Sequence, residues 1–93
     1  VANSERSEKQ MNKESTLRNL QRALAMELTA AHQYQLHGSV LDDWGLDLLA
    51  NKMREEMQEE LGHSKAFLDR ILFLKGEPKL EFAKAPVVTH SLG

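Results

Sequence analysis

The sequence contains no cysteine. Disulfide staples and thiolate metal cages are therefore excluded. Proline occurs only at Pro78 and Pro86, and no glycine precedes Gly38, so nothing breaks a helix through the first third of the chain. Neither sign of charge dominates. Twelve Lys and Arg stand against fourteen Asp and Glu, a net charge of −2, which argues against a basic nucleic-acid-binding surface. No apolar run approaches the ~18–20 residues needed to cross a bilayer, and the N-terminus has no signal-peptide pattern. The expectation is a soluble, cytoplasmic protein with neither nucleic acid nor membrane as a partner.

What is present fits one small domain. The chain has 93 residues, 41% hydrophobic and 28% charged, a balance that suits a globular chain rather than a disordered one. A domain of this size buries a small core and is marginal without metal, disulfides or partners. With disulfides excluded, metal and self-association come first.

The fold class expected is all-α. Residues 1–14 are polar, mixed in charge and without an apolar period, and read as an N-terminal tail or extended arm. Ser15 and Thr16 are acceptable N-cap residues. From there to about Leu41, Leu20, Leu24, Ala31 and Leu41 recur at helical spacing, with Glu27 and Tyr34 at matching positions. Asp42-Asp43-Trp44-Gly45 is a turn signal. A second helical line follows: Leu49, Met53, Glu56, Glu60, His63, Phe67, Ile71 and Leu74. Gly76 is placed as its C-cap and Pro78 blocks continuation. The domain is then a two-helix hairpin over 15–75, turning near 42–45, with an extended C-terminal tail over 76–93. Two helices cannot bury both apolar faces on each other, so pairing of two hairpins into an antiparallel four-helix bundle is expected.

The informative feature is charge on the inward lines. Removing a carboxylate from water costs several kcal/mol unless a partner compensates, and pairing the hairpins gathers two copies each of Glu27, Glu60 and His63. Two divalent cations balance the four carboxylates, while two neutral imidazoles complete the ligands. Oxygen and nitrogen donors without thiolate suit iron or manganese. Glu60 and His63, at i and i+3, share a helix face. Ferritin-like di-iron proteins use one Glu from each of two helices plus Glu-x-x-His from each of the other two. Glu27 and Glu60-Leu61-Gly62-His63 supply half of that set. The plainer reading stays open at this point: Glu27 at a helix edge, His63 an interior histidine with a backbone partner. Glu56, one turn before Glu60, is either on the path by which ions enter or simply solvated.

Longer stretches carry a family resemblance. Glu27-Leu28-Thr29-Ala30-Ala31-His32-Gln33-Tyr34, Leu36-His37 and Asp43-Trp44-Gly45-Leu46 resemble the first helix and turn of bacterioferritin. Glu55 to His63, Asp69-Arg70-Ile71-Leu72-Phe73-Leu74 and Gly76-Glu77-Pro78 resemble its second helix. The resemblance covers residues 17–80 without a gap. It implies a ferroxidase centre, with Glu27 matching a terminal iron ligand, Glu60 a bridging carboxylate, His63 an imidazole ligand and Tyr34 the tyrosine beside the site. A core aromatic whose hydroxyl bonds a ligand carboxylate is the other reading of Tyr34.

Two departures matter. Bacterioferritin builds its bundle from one chain about twice this long, so here the missing ligands are expected from a second copy, in an obligate homodimer that assembles further into a cage or ring. Short ferritin-like proteins of this kind include cargo of encapsulin shells, and residues 87–93 are similar to a shell-loading peptide; an ordinary tail is the alternative. The haem-ligating methionine of bacterioferritin is replaced by Leu61. Met57, one turn earlier, is the candidate porphyrin ligand, or else an interface gap-filler. His32 and His37 fall off the inward line and are expected on the surface. The function implied is oxidation of Fe(II) to Fe(III), with O₂ or H₂O₂, for iron storage or detoxification. A haem-binding dimer for electron transfer or haem storage and a metal-free helical interaction module are the alternatives.

Overall fold

The computed structural model describes residues 2–84, with side chains from Glu8 onward. Helix α1 spans Ala2–Asp43 and helix α2 spans Asp47–Phe73. Among the described residues there is no strand. The two helices form an antiparallel hairpin measuring 66 × 20 × 18 Å.

The N-terminal reading is corrected: α1 begins at Ala2, not near Ser15. The physical reason is that residues 2–16 lack Gly and Pro and are rich in straight-chain Glu, Arg, Lys, Gln and Met, which extend a helix at little cost once it is nucleated. Thr16 behaves accordingly. Its hydroxyl donates to the Asn12 carbonyl at 2.9 Å, the bond of a helix-interior threonine rather than a cap.

The turn is closed as the Asp-Gly signal predicts. Gly45 takes φ +77°, Gly45 N donates to Asp42 O at 3.0 Å, and Leu46 N donates to Leu41 O at 2.9 Å. This is a Schellman arrangement with glycine in the left-handed position. Arg54 on α2 reaches back to Asp42 at 2.7 Å and ties the turn.

The end of α2 differs from expectation. The left-handed residue is Lys75, at φ 64°, and Gly76 follows it. Lys75 N donates to Leu72 O and Gly76 N to Ile71 O, again a Schellman pair. Gly76 is closely packed: a Cβ there would lie 2.7 Å from Leu17 Cδ2 and 3.1 Å from Ile71 Cγ2, so the end of the Leu17 side chain would have to turn aside. The contact marks where α1 outruns α2, since Leu17 stands opposite the end of the hairpin and the preceding part of α1 has no α2 beside it.

Leu24, Ala31 and Leu41 of α1 are buried, as are Ala50, Ser64 and Ile71 of α2; Ala25 and Thr29 are also buried, on the side of α1 where Thr29 meets the segment after α2. Leu20, Met53, Phe67 and Leu74 are half-buried. Leu49 is 53% exposed, against its expected inward position. Its neighbour Ala50 faces α1 instead, and one hairpin gives α2 only one helix to pack on. Among the described residues the buried apolar side chains are few, Leu24, Leu41 and Ile71 being the large ones, so this hairpin alone has little apolar burial to set against chain entropy.

After Gly76 the chain turns back along α1 as a strap. Lys79 N donates to Gln21 Oε1 at 2.9 Å, and Gln21 Nε2 returns a bond to the Lys79 carbonyl. Ala83 N donates to Thr29 Oγ1 at 2.7 Å, while that hydroxyl donates to Ala25 O at 2.7 Å. Phe82 meets the His32 ring edge-on at 4.7 Å. The shell-loading reading of residues 87–93 lies outside the described residues. Among the described residues no helix is long and apolar enough to cross a membrane.

Candidate metal centre

Glu27 stands on α1 between buried Leu24 and Ala31, spacings of three and four that hold it on the packed stripe. On α2 Ser64 is buried, and its hydroxyl donates to Leu61 O at 2.7 Å. Its position sets those of its neighbours. Glu60, four residues earlier, turns toward the seam and is 21% exposed, whereas His63 is rotated outward and is 61% exposed.

The hairpin brings one ligand atom from each of Glu27, Glu60 and His63 within 4.8 Å of one another. His63 Nδ1 lies 3.4 Å from Glu27 Oε2 and 3.7 Å from Glu60 Oε2. Glu27 Oε2 is buried and has no hydrogen-bond partner. An unsatisfied buried polar atom costs roughly 1–3 kcal/mol, and more when charged. An orphaned carboxylate oxygen converging with a second carboxylate and an imidazole fits a cation that takes oxygen and nitrogen donors. Three donors from one chain leave the coordination open toward the side on which His63 is exposed.

The remaining candidates fall around this cluster. Tyr34 is half-buried, two turns along α1 from Glu27. Glu56 is held by Lys52 at 3.2 Å rather than joined to the cluster. Lys52 also reaches Glu55 at 4.0 Å. Its hydrogen bond to Glu56, then the charges of Glu56 and Glu55, hold its ammonium above the usual 10.5. Met57 is half-buried and Leu61 is 37% exposed. His32 is exposed, as expected; His37 is half-buried and bonded to Gln33 at 2.9 Å, so its surface placement is corrected. Sequence reasoning passed over Ser64, whose burial orients Glu60 and His63. The available signal was a small residue between larger apolar ones, three residues before Phe67 and seven before Ile71.

The chain is thus a helical hairpin whose seam gathers two carboxylates and an imidazole that could hold a metal ion. Residues 17–90 match the family model of the ferritin-like domain, and the chain belongs to that family. It is 50% identical over 62 residues to a bacterioferritin of Rhodobacter capsulatus, an alignment covering 67% of this chain and 38% of the relative. It is 48% identical over 59 residues to a bacterioferritin of Brucella melitensis, covering 63% and 37%. A solved structure of Rhodobacter capsulatus bacterioferritin, with a metal-free dinuclear site and haem iron in a crystallographic special position, matches with a TM-score of 0.78 and 40% identity. That match covers 83% of this chain and 48% of the other. The chain thus spans less than half the length of the curated relatives named here.

Proposed function

We propose that two copies of this hairpin join into a four-helix bundle that oxidises ferrous iron at a di-iron centre shared between them, for iron storage or detoxification in the cytoplasm. The observation that carries this reading is the convergence of Glu27, Glu60 and His63 within 4.8 Å around a buried carboxylate oxygen that has no hydrogen bond. Glu27 would hold one ion as a terminal ligand, Glu60 would bridge, and His63 would give the imidazole nitrogen. Bound iron supplies the redox chemistry, with O₂ or H₂O₂ taking the electrons. The protein's own part is fixed geometry and charge balance: four carboxylates from two chains offset two divalent ions. In this reading Tyr34, two turns from Glu27 on the same stripe, would offer a phenol beside the centre.

The test is ferrous oxidation followed by ferric absorbance after mixing Fe(II) with O₂ or H₂O₂. Glu60→Ala is expected to abolish the rapid phase while leaving helix content intact. Equal rates in the variant and the parent reject the assignment.

A haem-binding reading draws support from a second stripe on α2, where half-buried Met57 precedes exposed Leu61 by one turn, and from the haem iron of the Rhodobacter capsulatus relative. A Soret band in purified protein that Met57→Leu removes is its expected signature. If instead the protein carried no stoichiometric iron and its melting temperature ignored EDTA, it would be a metal-free helical module.

A further inference from the structure

We infer that the end of the hairpin opposite the turn carries a second site, a basic cleft that binds a short oligophosphate chain.

The cleft lies where α1 outruns α2. It has a volume of about 490 Å³ and is lined by Lys9, Gln10, Lys13, Glu14 and Leu17 of α1 and by Lys75, just past α2. Lys9, Lys13 and Leu17 succeed one another at intervals of four, so they form one stripe along the helix. Gly76 packs on Leu17, and this contact brings the neighbouring Lys75 to the foot of the stripe. Leu17 stands about 15 Å along α1 from Glu27, so the cleft is separate from the carboxylate cluster.

Three ammoniums share this cleft with one carboxylate. Among the described residues Lys52, Arg54 and Lys65 each have an acidic partner, whereas none of Lys9, Lys13 and Lys75 forms an ion pair. The arrangement is unfavourable in two ways. Lys9 and Lys13 stand at i and i+4, where like charges destabilise a helix, on a stretch with no α2 beside it to compensate by packing. Lys75 holds a left-handed backbone, φ 64°, with a glycine next to it in sequence, a conformation that a lysine adopts only at a cost. No protein group offsets either effect. An anion held by all three lysines offsets both.

The form of the cleft selects the anion. Lysine is a flexible point charge with three donors and a common phosphate binder. Lys9 and Lys13 are about 6 Å apart along the helix, and Lys75 reaches the cleft from a different segment. A single phosphate engages such cations one or two at a time; linked phosphoryl groups present a charge to each. Gln10 adds an amide donor. Among the described residues that line the cleft none is aromatic, so it has no platform on which a base would stack, and the phosphate chain is what it recognises.

The experiment is isothermal titration calorimetry on the full chain, after chelation and desalting, at low ionic strength. The titrants are tripolyphosphate, orthophosphate and ATP. Tripolyphosphate is expected to bind about tenfold or more tightly than orthophosphate. Lys9→Gln with Lys13→Gln is expected to weaken it about fivefold or more, and Lys75→Gly about threefold to fivefold. Lys75→Gly relieves the backbone at 75, so its lost binding is not a loss of fold, and circular dichroism checks helix content in the others. Glu14→Gln removes the opposing charge and is expected to tighten binding about twofold. Lys65→Gln removes the same charge far from the cleft and is expected to change affinity by less than about twofold. Tripolyphosphate that binds no better than orthophosphate overturns the inference, as does parent-like affinity in the Lys9, Lys13 double variant or in Lys75→Gly. A loss in Lys65→Gln equal to that in Lys75→Gly also overturns it, because binding would then follow net charge alone. The ATP arm distinguishes the source of the chain: tighter binding of tripolyphosphate assigns a free oligophosphate, tighter binding of ATP the tail of a nucleotide, and the site stands in either case.

Discussion

Gly76 and Leu17 pack so closely that the first atom of any side chain at 76 would stand 2.7 Å from Leu17 Cδ2. The same atom would meet Ile71 Cγ2 at 3.1 Å, and Ile71 is a large, fully buried side chain of the hairpin core. The contact closes the end of the hairpin opposite the turn. Gly76→Ala requires the flexible end of Leu17 to turn aside and Ile71 to give by a little, so it is expected to cost about 1 kcal/mol or less, the low end of overpacking. Denaturant unfolding measures it. Leu17→Ala opens space, so the alanine at 76 should cost less in that background, and simple additivity in the double-mutant cycle would show that the two residues do not collide.

Lys75 takes the left-handed backbone that glycine adopts freely. A non-glycine residue there stores about 1 kcal/mol or somewhat more. Lys75→Gly is therefore expected to raise the melting temperature, by about 4–8 °C per kcal/mol gained in a domain of this size. A lower melting temperature would mean that the lysine side chain contributes more than its backbone costs.

How much was legible in the sequence is clearest at this end of the hairpin. The Gly76-Glu77-Pro78 signal located the stop correctly, but it could not tell a glycine needed for its φ from one needed for close approach, because the second depends on Leu17, 59 positions away. The helical stripe placed Leu24, Ala31, Leu41 and Ile71 in the core. It misjudged Leu49 against Ala50, since periodicity gives a direction only to within about one residue, and a single neighbouring helix decides the rest. The polar opening of α1 carried no apolar period and so read as a tail, although its residues are good helix formers. At the site, Glu27, Glu60 and His63 were identifiable as acids and an imidazole on apolar lines. The role of Ser64 in orienting them, and the grip of Gln21 and Thr29 on the strap, depend on tertiary contacts and left no local pattern.

Thr29 is a junction, accepting from Ala83 N and donating to Ala25 O. Thr29→Val keeps the shape and removes both bonds. The expected cost is about 1–2 kcal/mol, from two lost hydrogen bonds and an amide left unpaired. Hydrogen exchange at Ala83 should accelerate, and Thr29→Ser should restore most of the protection. Unchanged exchange at Ala83 in the valine variant would show that the bond does not hold the strap.

Chelation tests whether the cluster holds an ion. At a free cation concentration of about 100 times Kd, a bound ion stabilises the folded form by about 2.7 kcal/mol. The metal-loaded parent is thus expected to melt well above the chelated one. Glu27→Gln replaces the orphaned carboxylate with a neutral amide, which should leave the chelated protein at least as stable while abolishing most of the metal-dependent rise. A full rise in this variant would place the ion elsewhere.

The strap has a geometric consequence for how copies of this chain can meet. Of the residues that hold it, Gln21 and His32 lie somewhat over a third of a turn around α1 from Glu27, and Thr29 lies on nearly the opposite side. Residues 77–84 thereby cover one flank of α1, and in the proposed pair a twin would approach from a flank that the strap leaves open. A contact in which each surface faces its own equivalent is isologous, and isologous pairs are self-limiting: they close at two instead of propagating as fibres.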